Sequence, residues 1–98
     1  MALPARDHRI SLEAATALTR RYREKAPKAI RAGAFHAEQV NTLLAQKGCV
    51  GLRIYHGTKD DGSSALILVG MDGNDHDMTD VILEICVPCP PFCNGGGL

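Results

Sequence analysis

The hydrophobic pattern of this chain changes period once, near Gly48, and no other feature constrains its fold as strongly. Before that point apolar residues recur every three or four positions; after it they alternate. Helices and strands are therefore segregated along the chain rather than interleaved, which predicts an α+β fold and argues against a parallel βαβ sheet.

Ser11 is a suitable N-cap for a helix in which Leu12, Ala15, Leu18, Thr19 and Tyr22 form one stripe, so a first helix is expected over Ser11 to Lys25. Arg20, Arg21, Arg23 and Lys25 gather at its end, where cations complement the helix dipole. Pro27 interrupts it, Lys28 to Arg31 begins a short turn, and Gly33 ends that turn. His36 in a cap position, Gln39 three residues on, and Phe35 placed to staple onto Val40 announce a second helix over Ala37 to Gln46. Its buried stripe is Val40, Leu43 and Leu44, and Gly48 stands where a left-handed residue closes a helix.

Alternation then places Val50, Leu52 and Ile54 on one side of a first strand, with Cys49, Arg53 and Tyr55 on the other. Asp61-Gly62 turns the chain into Ala65 to Met71, apolar on both faces and so a central strand; Asp72-Gly73-Asn74 turns it again. A third strand runs from Thr79 to Val87, with Val81, Leu83, Ile85 and Val87 facing one way and Ile82, Glu84 and Cys86 the other. Pro88, Pro90 and Pro91 cannot donate ladder hydrogen bonds and are expected to end the sheet.

The expected architecture is thus two N-terminal helices packed on a three-stranded antiparallel sheet (αα-βββ), followed by an extended Cys- and Pro-rich tail. The helices would cover the Val50, Leu52, Ile54 and Val81, Leu83, Ile85 face. Tyr55, Ile82, Cys86 and one side of the central strand would form a second apolar face, suited to self-association or to a cover supplied by the tail. With 98 residues the chain has length for a single domain, 1–98, with an N-terminal arm over 1–10 and an irregular tail over 88–98.

No apolar stretch reaches the roughly 18 to 20 residues that span a bilayer, and no apolar segment follows the first residues as a signal peptide requires, so a cytoplasmic protein without a membrane partner is expected. The net charge of zero argues against nucleic acid as a partner, although the charge is unevenly spread. Residues 1–56 hold ten Lys or Arg against four acids, a surplus of six; residues 57–98 hold Lys59 against seven acids, a deficit of six.

The chemically distinctive segment is Cys86-Val87-Pro88-Cys89-Pro90-Pro91-Phe92-Cys93. Closely spaced thiolates are strong ligands for zinc, and a backbone free of ladder bonds can wrap an ion. Cys86, Cys89 and Cys93 supply three of the four ligands that tetrahedral zinc takes, and Cys49 is the candidate fourth, since its strand parity matches that of Arg53 and Tyr55. His56 and His76 are the other candidates for that position.

The alternative use of the same segment is redox. Cys86 and Cys89 form a C-x-x-C pair, and a Cys89–Cys93 disulfide would close a small loop. Pro90 and Pro91 leave no room for the helix that lowers a thiol pKa in thioredoxin-like motifs.

The run from Asp72 to Asp77 has the alternating oxygens of a calcium loop, but Asp77 stands where glycine is needed and Leu83 where the bidentate Glu belongs, so it reads as an acidic hairpin. No nucleophile elbow or phosphate-gripping glycine loop is present. The sequence therefore points to a small non-enzymatic accessory or interaction module with Cys86, Cys89, Cys93 and Cys49 as its candidate metal ligands, or alternatively to a thiol-redox or disulfide-switch protein; the plain alternative to both is that the cysteines are small residues that pack as hydrophobes.

Overall fold

Ser11 caps the first helix as its sequence predicts: Ser11 Oγ accepts from the Ala14 backbone N–H at 3.0 Å, and α1 follows over Leu12–Lys25. The computed structural model describes residues 3–91 and Leu98. The remaining elements are β1 (Ala32–Ala34), α2 (Ala37–Leu44), β2 (Cys49–Thr58), β3 (Ser64–Asp72), β4 (Asp77–Leu83) and β5 (Val87–Cys89). The fold is α+β, with the antiparallel meander β2-β3-β4 and a separate two-stranded ladder β1-β5.

The central strand is the one expected. β3 is buried on both faces, and Leu68, Val69, Gly70 and Met71 form a continuous buried run. Over this strand sits α2, which touches β2, β3 and β4. Its anchor is Leu43, fully buried at 0% exposure. Gly70 makes the close approach possible, because a Cβ there would stand 3.0 Å from both Cys49 Sγ and Gln46 Nε2 and 3.6 Å from Leu43 Cδ2.

The second helix ends at Leu44 rather than Gln46, because Gln46 is used otherwise. Its Nε2 donates to the Leu43 carbonyl at 2.8 Å, and its own carbonyl accepts from the Cys49 N–H at 3.0 Å. Gly48, at φ 85°, turns the chain from helix to sheet as expected.

Three expectations are corrected. First, α1 does not join α2 on the sheet: it buries none of its residues and leaves Leu12 (74% exposed), Leu18 and Tyr22 open. A single short helix cannot cover the whole face, so Val50, Leu52 and Ile54 remain exposed along β2.

Second, the third strand stops at Leu83, short of Val87, and the prolines do not end all pairing. Val87, Pro88 and Cys89 pair with Ala34, Gly33 and Ala32, and the Arg31 N–H donates to the Cys89 carbonyl at 2.8 Å. Both strands of a two-stranded ladder are edge strands, a setting that admits a proline. Gly33 is therefore a strand residue and not the end of a helical turn. The rest of the expected tail, 92–97, lies outside the described residues.

Third, a bulge at Cys49–Gly51 shifts the register of β2. Cys49 faces Asp72 and Gly51 faces Met71, so two steps on β2 match one on β3. The shift moves Cys49 to the α2 side of the sheet, with Leu52 and Gly70, while Gly51, Arg53 and Tyr55 keep the opposite side. On that opposite side the cover at Gly51 and Met71 comes from the N-terminal arm: Leu3 Cδ2 lies 3.1 Å from where a Gly51 Cβ would be.

Burying a leucine completely contributes about 1.5–3 kcal/mol, and emptying its site adds the loss of packing around it. Leu43→Ala is expected to lower the unfolding free energy by about 2–5 kcal/mol in urea titration. Leu18→Ala on α1 should change it by no more than about 0.5 kcal/mol.

Candidate functional site

Of the candidate ligands, Cys49, Cys86 and Cys89 fall within the described residues, and they do not form one cluster. Cys49 and Cys86 are free thiols, both half-buried. Cys49 donates through Sγ to the Gly51 carbonyl at 3.2 Å and lies against Gly70 beneath α2. Cys86 sits in the connection between β4 and β5, where a Cβ added to Gly33 would meet its Sγ at 2.6 Å and Leu66 Cδ1 at 3.9 Å.

Gly70 and Leu66 are four residues apart on β3, about 13 Å at the rise of a strand. Cys49 and Cys86 are thus not brought together. The strand parity expected to unite them is undone twice, by the bulge that turns Cys49 toward α2 and by the end of β4 before Cys86.

Cys89, in β5, is disulfide-bonded, and a sulfur so engaged is not a thiolate ligand. Cys93 lies outside the described residues. Among the described residues no three His, Cys, Asp or Glu side chains are grouped so as to hold a metal ion. His56 is on the α2 side of β2 opposite Leu66, and His76 Nδ1 is 3.7 Å from Asp72 Oδ2 in the β3–β4 turn.

This C-terminal segment is therefore a layered junction. The β1-β5 ladder lies beside Leu66, on the same side of the sheet as α2, and not over the Tyr55 side where the tail was expected. Gly33 is what lets β1 approach: it leaves the space that the Cys86 side chain fills.

The second sheet face carries a feature the sequence reading missed. Arg53 bridges the β3–β4 hairpin, pairing through Nη1 with Asp77 Oδ1 at 2.7 Å and through Nη2 with Asp75 Oδ1, while the Tyr55 hydroxyl donates to Asp77 Oδ2. Tyr55, Asp75 and Asp77, in that order, hold the Arg53 guanidinium more firmly in its charged form. The expected apolar face is polar across this corner. Its clue was an arginine and a tyrosine of equal strand parity beside an acidic hairpin; the register that joins them could not be read without the pairing.

The hairpin itself is tied by Asp72. Its Oδ1 accepts from the His76 and Asn74 N–H groups at 3.0 and 2.9 Å, and these bonds, the one to His76 foremost, hold the carboxyl below its usual pKa. Asp75 takes the positive φ of 67° that the turn requires. The oxygens of this run are spent on its own backbone and on Arg53.

No protein-family model matches the chain, and no curated protein or solved structure matches it significantly.

A methyl group at Gly33 must displace the Cys86 sulfur, so Gly33→Ala should destabilise the fold by about 1–3 kcal/mol. Adding Cys86→Ala to that variant is expected to restore part of the loss in the same denaturation assay, because the obstructing atom is gone.

Proposed function

We propose that this chain is a small non-enzymatic interaction module whose partner-facing element is α1. One observation carries the reading: α1 is a capped, fourteen-residue amphipathic helix whose apolar stripe touches no other element extensively among the described residues. Leu12, Ala15, Leu18, Thr19 and Tyr22 fall within about 120° of the helix circumference at 100° per residue. A stripe of that width is the size that buries against a groove.

The shape of the molecule agrees. Its radius of gyration is 15.1 Å, against about 13 Å for a compact domain of this length. Isolated helices of about this length are marginal in water and depend on packing. Arg20, Arg21, Arg23 and Lys25 crowd the end of α1, so the groove that receives it carries acidic residues at that end.

Protein capture with α1 as bait in the full chain tests this. Leu18→Glu and Tyr22→Ala are expected each to weaken retention of the partner at least tenfold, with the urea midpoint unchanged. Unaltered retention by both variants overturns the reading.

A second reading rests on the disulfide at Cys89. Here the C-terminal segment is a redox clasp, closed in an oxidising setting and opened by a cellular dithiol that takes up the oxidising equivalents as its own disulfide. In the reduced cytoplasm the thiolates of Cys86, Cys89 and Cys93 then become the zinc candidates, with a fourth ligand other than Cys49. Thiol titration of the folded protein should gain two thiols on reduction, and elemental analysis should find zinc only in the reduced form. Equal thiol counts in both forms exclude the clasp.

A further inference from the structure

The two edges of the three-stranded sheet are built differently, and the difference identifies an interface. β4 is a guarded edge. Its pairing with β3 jumps from Ile82 opposite Val69 to Met78 opposite Gly70, so Thr79, Asp80 and Val81 leave the ladder, and Asp80 is exposed there. Bulges and charges of this kind keep a sheet edge from pairing with another strand.

Beyond the bulge at its start, Cys49–Gly51, β2 has no such guard. It is an edge strand ten residues long, without proline, lysine or a carboxylate. Its one formal charge is Arg53, whose guanidinium is drawn across the sheet by Asp75 and Asp77. Leu52 and Ile54 (52% exposed) stand on one face of this edge, with Tyr55 partly exposed on the other.

We propose that β2 is a homodimer interface, pairing antiparallel with β2 of a second copy about a two-fold axis at Ile54. The choice of occupant follows from the edges themselves. A strand joining β2 must bring an unguarded edge of matching pattern; β4 is blocked by its bulge, whereas β2 matches itself. Pairing β2 with β2 also closes after two chains, and the zero net charge of each copy sets no long-range repulsion against it.

The register follows from the residues. Opposite residues in an antiparallel pair share a face, so the axis must pass through one residue. At Arg53 it would set two guanidinium-bearing residues directly opposite, which is unfavourable. At Leu52 the ladder would run into the bulge at Cys49–Gly51. At Ile54 the two isoleucines meet, Leu52 faces His56 of the second copy, Arg53 faces Tyr55, and Gly51 faces Gly57. This register pairs Leu52 to His56 on regular strand and reaches the bulge only at its Gly51 ends. It makes one six-stranded sheet, β4-β3-β2-β2-β3-β4, and brings the exposed Leu52 and Ile54 of both copies into one stripe beside the two α2 helices. The sequence had suggested self-association through the Tyr55 and Ile82 face; the open edge is independent of that face and of α1.

Sedimentation velocity over a concentration series tests the proposal. The unmodified chain is expected to dimerise, and Ile54→Lys, which sets two ammonium groups on the axis, should raise the dissociation constant on the order of 100-fold or more. Leu18→Glu on α1 and Ile82→Lys on the far edge should leave it unchanged. An independent readout is Ile54→Cys under mild oxidant, which should cross-link to the same position of a second copy, identified by peptide mass spectrometry, while Ile82→Cys should not. A monomer at every concentration, a dimer that survives Ile54→Lys in a folded variant, or a dimer lost with Leu18→Glu each overturns the proposal.

Discussion

The structure depends on one strand being buried from both sides. Leu68 and Gly70 point toward α2, Val69 and Met71 toward the arm and the Arg53 side, and together they are the only continuous buried stretch among the described residues. Everything that packs does so by reaching β3. α2 reaches it through Leu43, the arm through Leu3 beside Met71, and the β1-β5 ladder through Gly33 and Cys86 beside Leu66. The absence of a side chain at Gly70 and Gly33 matters as much as the presence of Leu43, since each glycine opens the space another element enters. Such close approach is also unforgiving, because displaced atoms in these places have packed neighbours rather than water.

The parts of this arrangement legible in the sequence are those determined by local pattern. The Ser11 cap, the Leu43 anchor of α2, the turns at Gly48 and Gly62, and the two-faced apolarity of β3 each state their conformation within a few residues, although Leu44, expected on the buried stripe of α2, is 43% exposed. What escaped depended on pairing between distant residues. Nothing near Val87, Pro88 and Cys89 says that a strand partner waits at Ala32–Ala34, because proline argues against a strand until an edge position is known. The amphipathic stripe of α1 was read correctly as a stripe, but a stripe does not name what buries it.

The candidate site shows the same division more sharply. The spacing of Cys86, Cys89 and Cys93 is local and plain, whereas the addition of Cys49 rested on strand parity carried across thirty-seven positions. Parity survives only while the ladder is regular. One extra residue at Cys49–Gly51 reversed it, and the early end of β4 removed Cys86 from the sheet altogether. The Arg53, Tyr55, Asp75 and Asp77 network was hidden for the converse reason: its members looked like solvated charges and a hairpin until the register set them side by side.

That network also bears on how the molecule meets others. An arginine on an open edge strand ordinarily repels its own copy in a symmetric pairing, and so protects the edge. Here two carboxylates from the β3–β4 hairpin draw the guanidinium inward, which spends the charge on tying the sheet together and leaves the edge without its guard. The same economy runs through the fold. A chain of 98 residues with few fully buried side chains among the described residues has little core to spare, and it leaves much apolar surface exposed, including the stripe of α1 and the edge of β2. Helical and strand surfaces pair by different rules, one by filling grooves and the other by completing hydrogen-bond ladders. The two proposed interfaces are therefore compatible: a strand edge that takes a second copy does not compete with a helix that takes a groove on another protein.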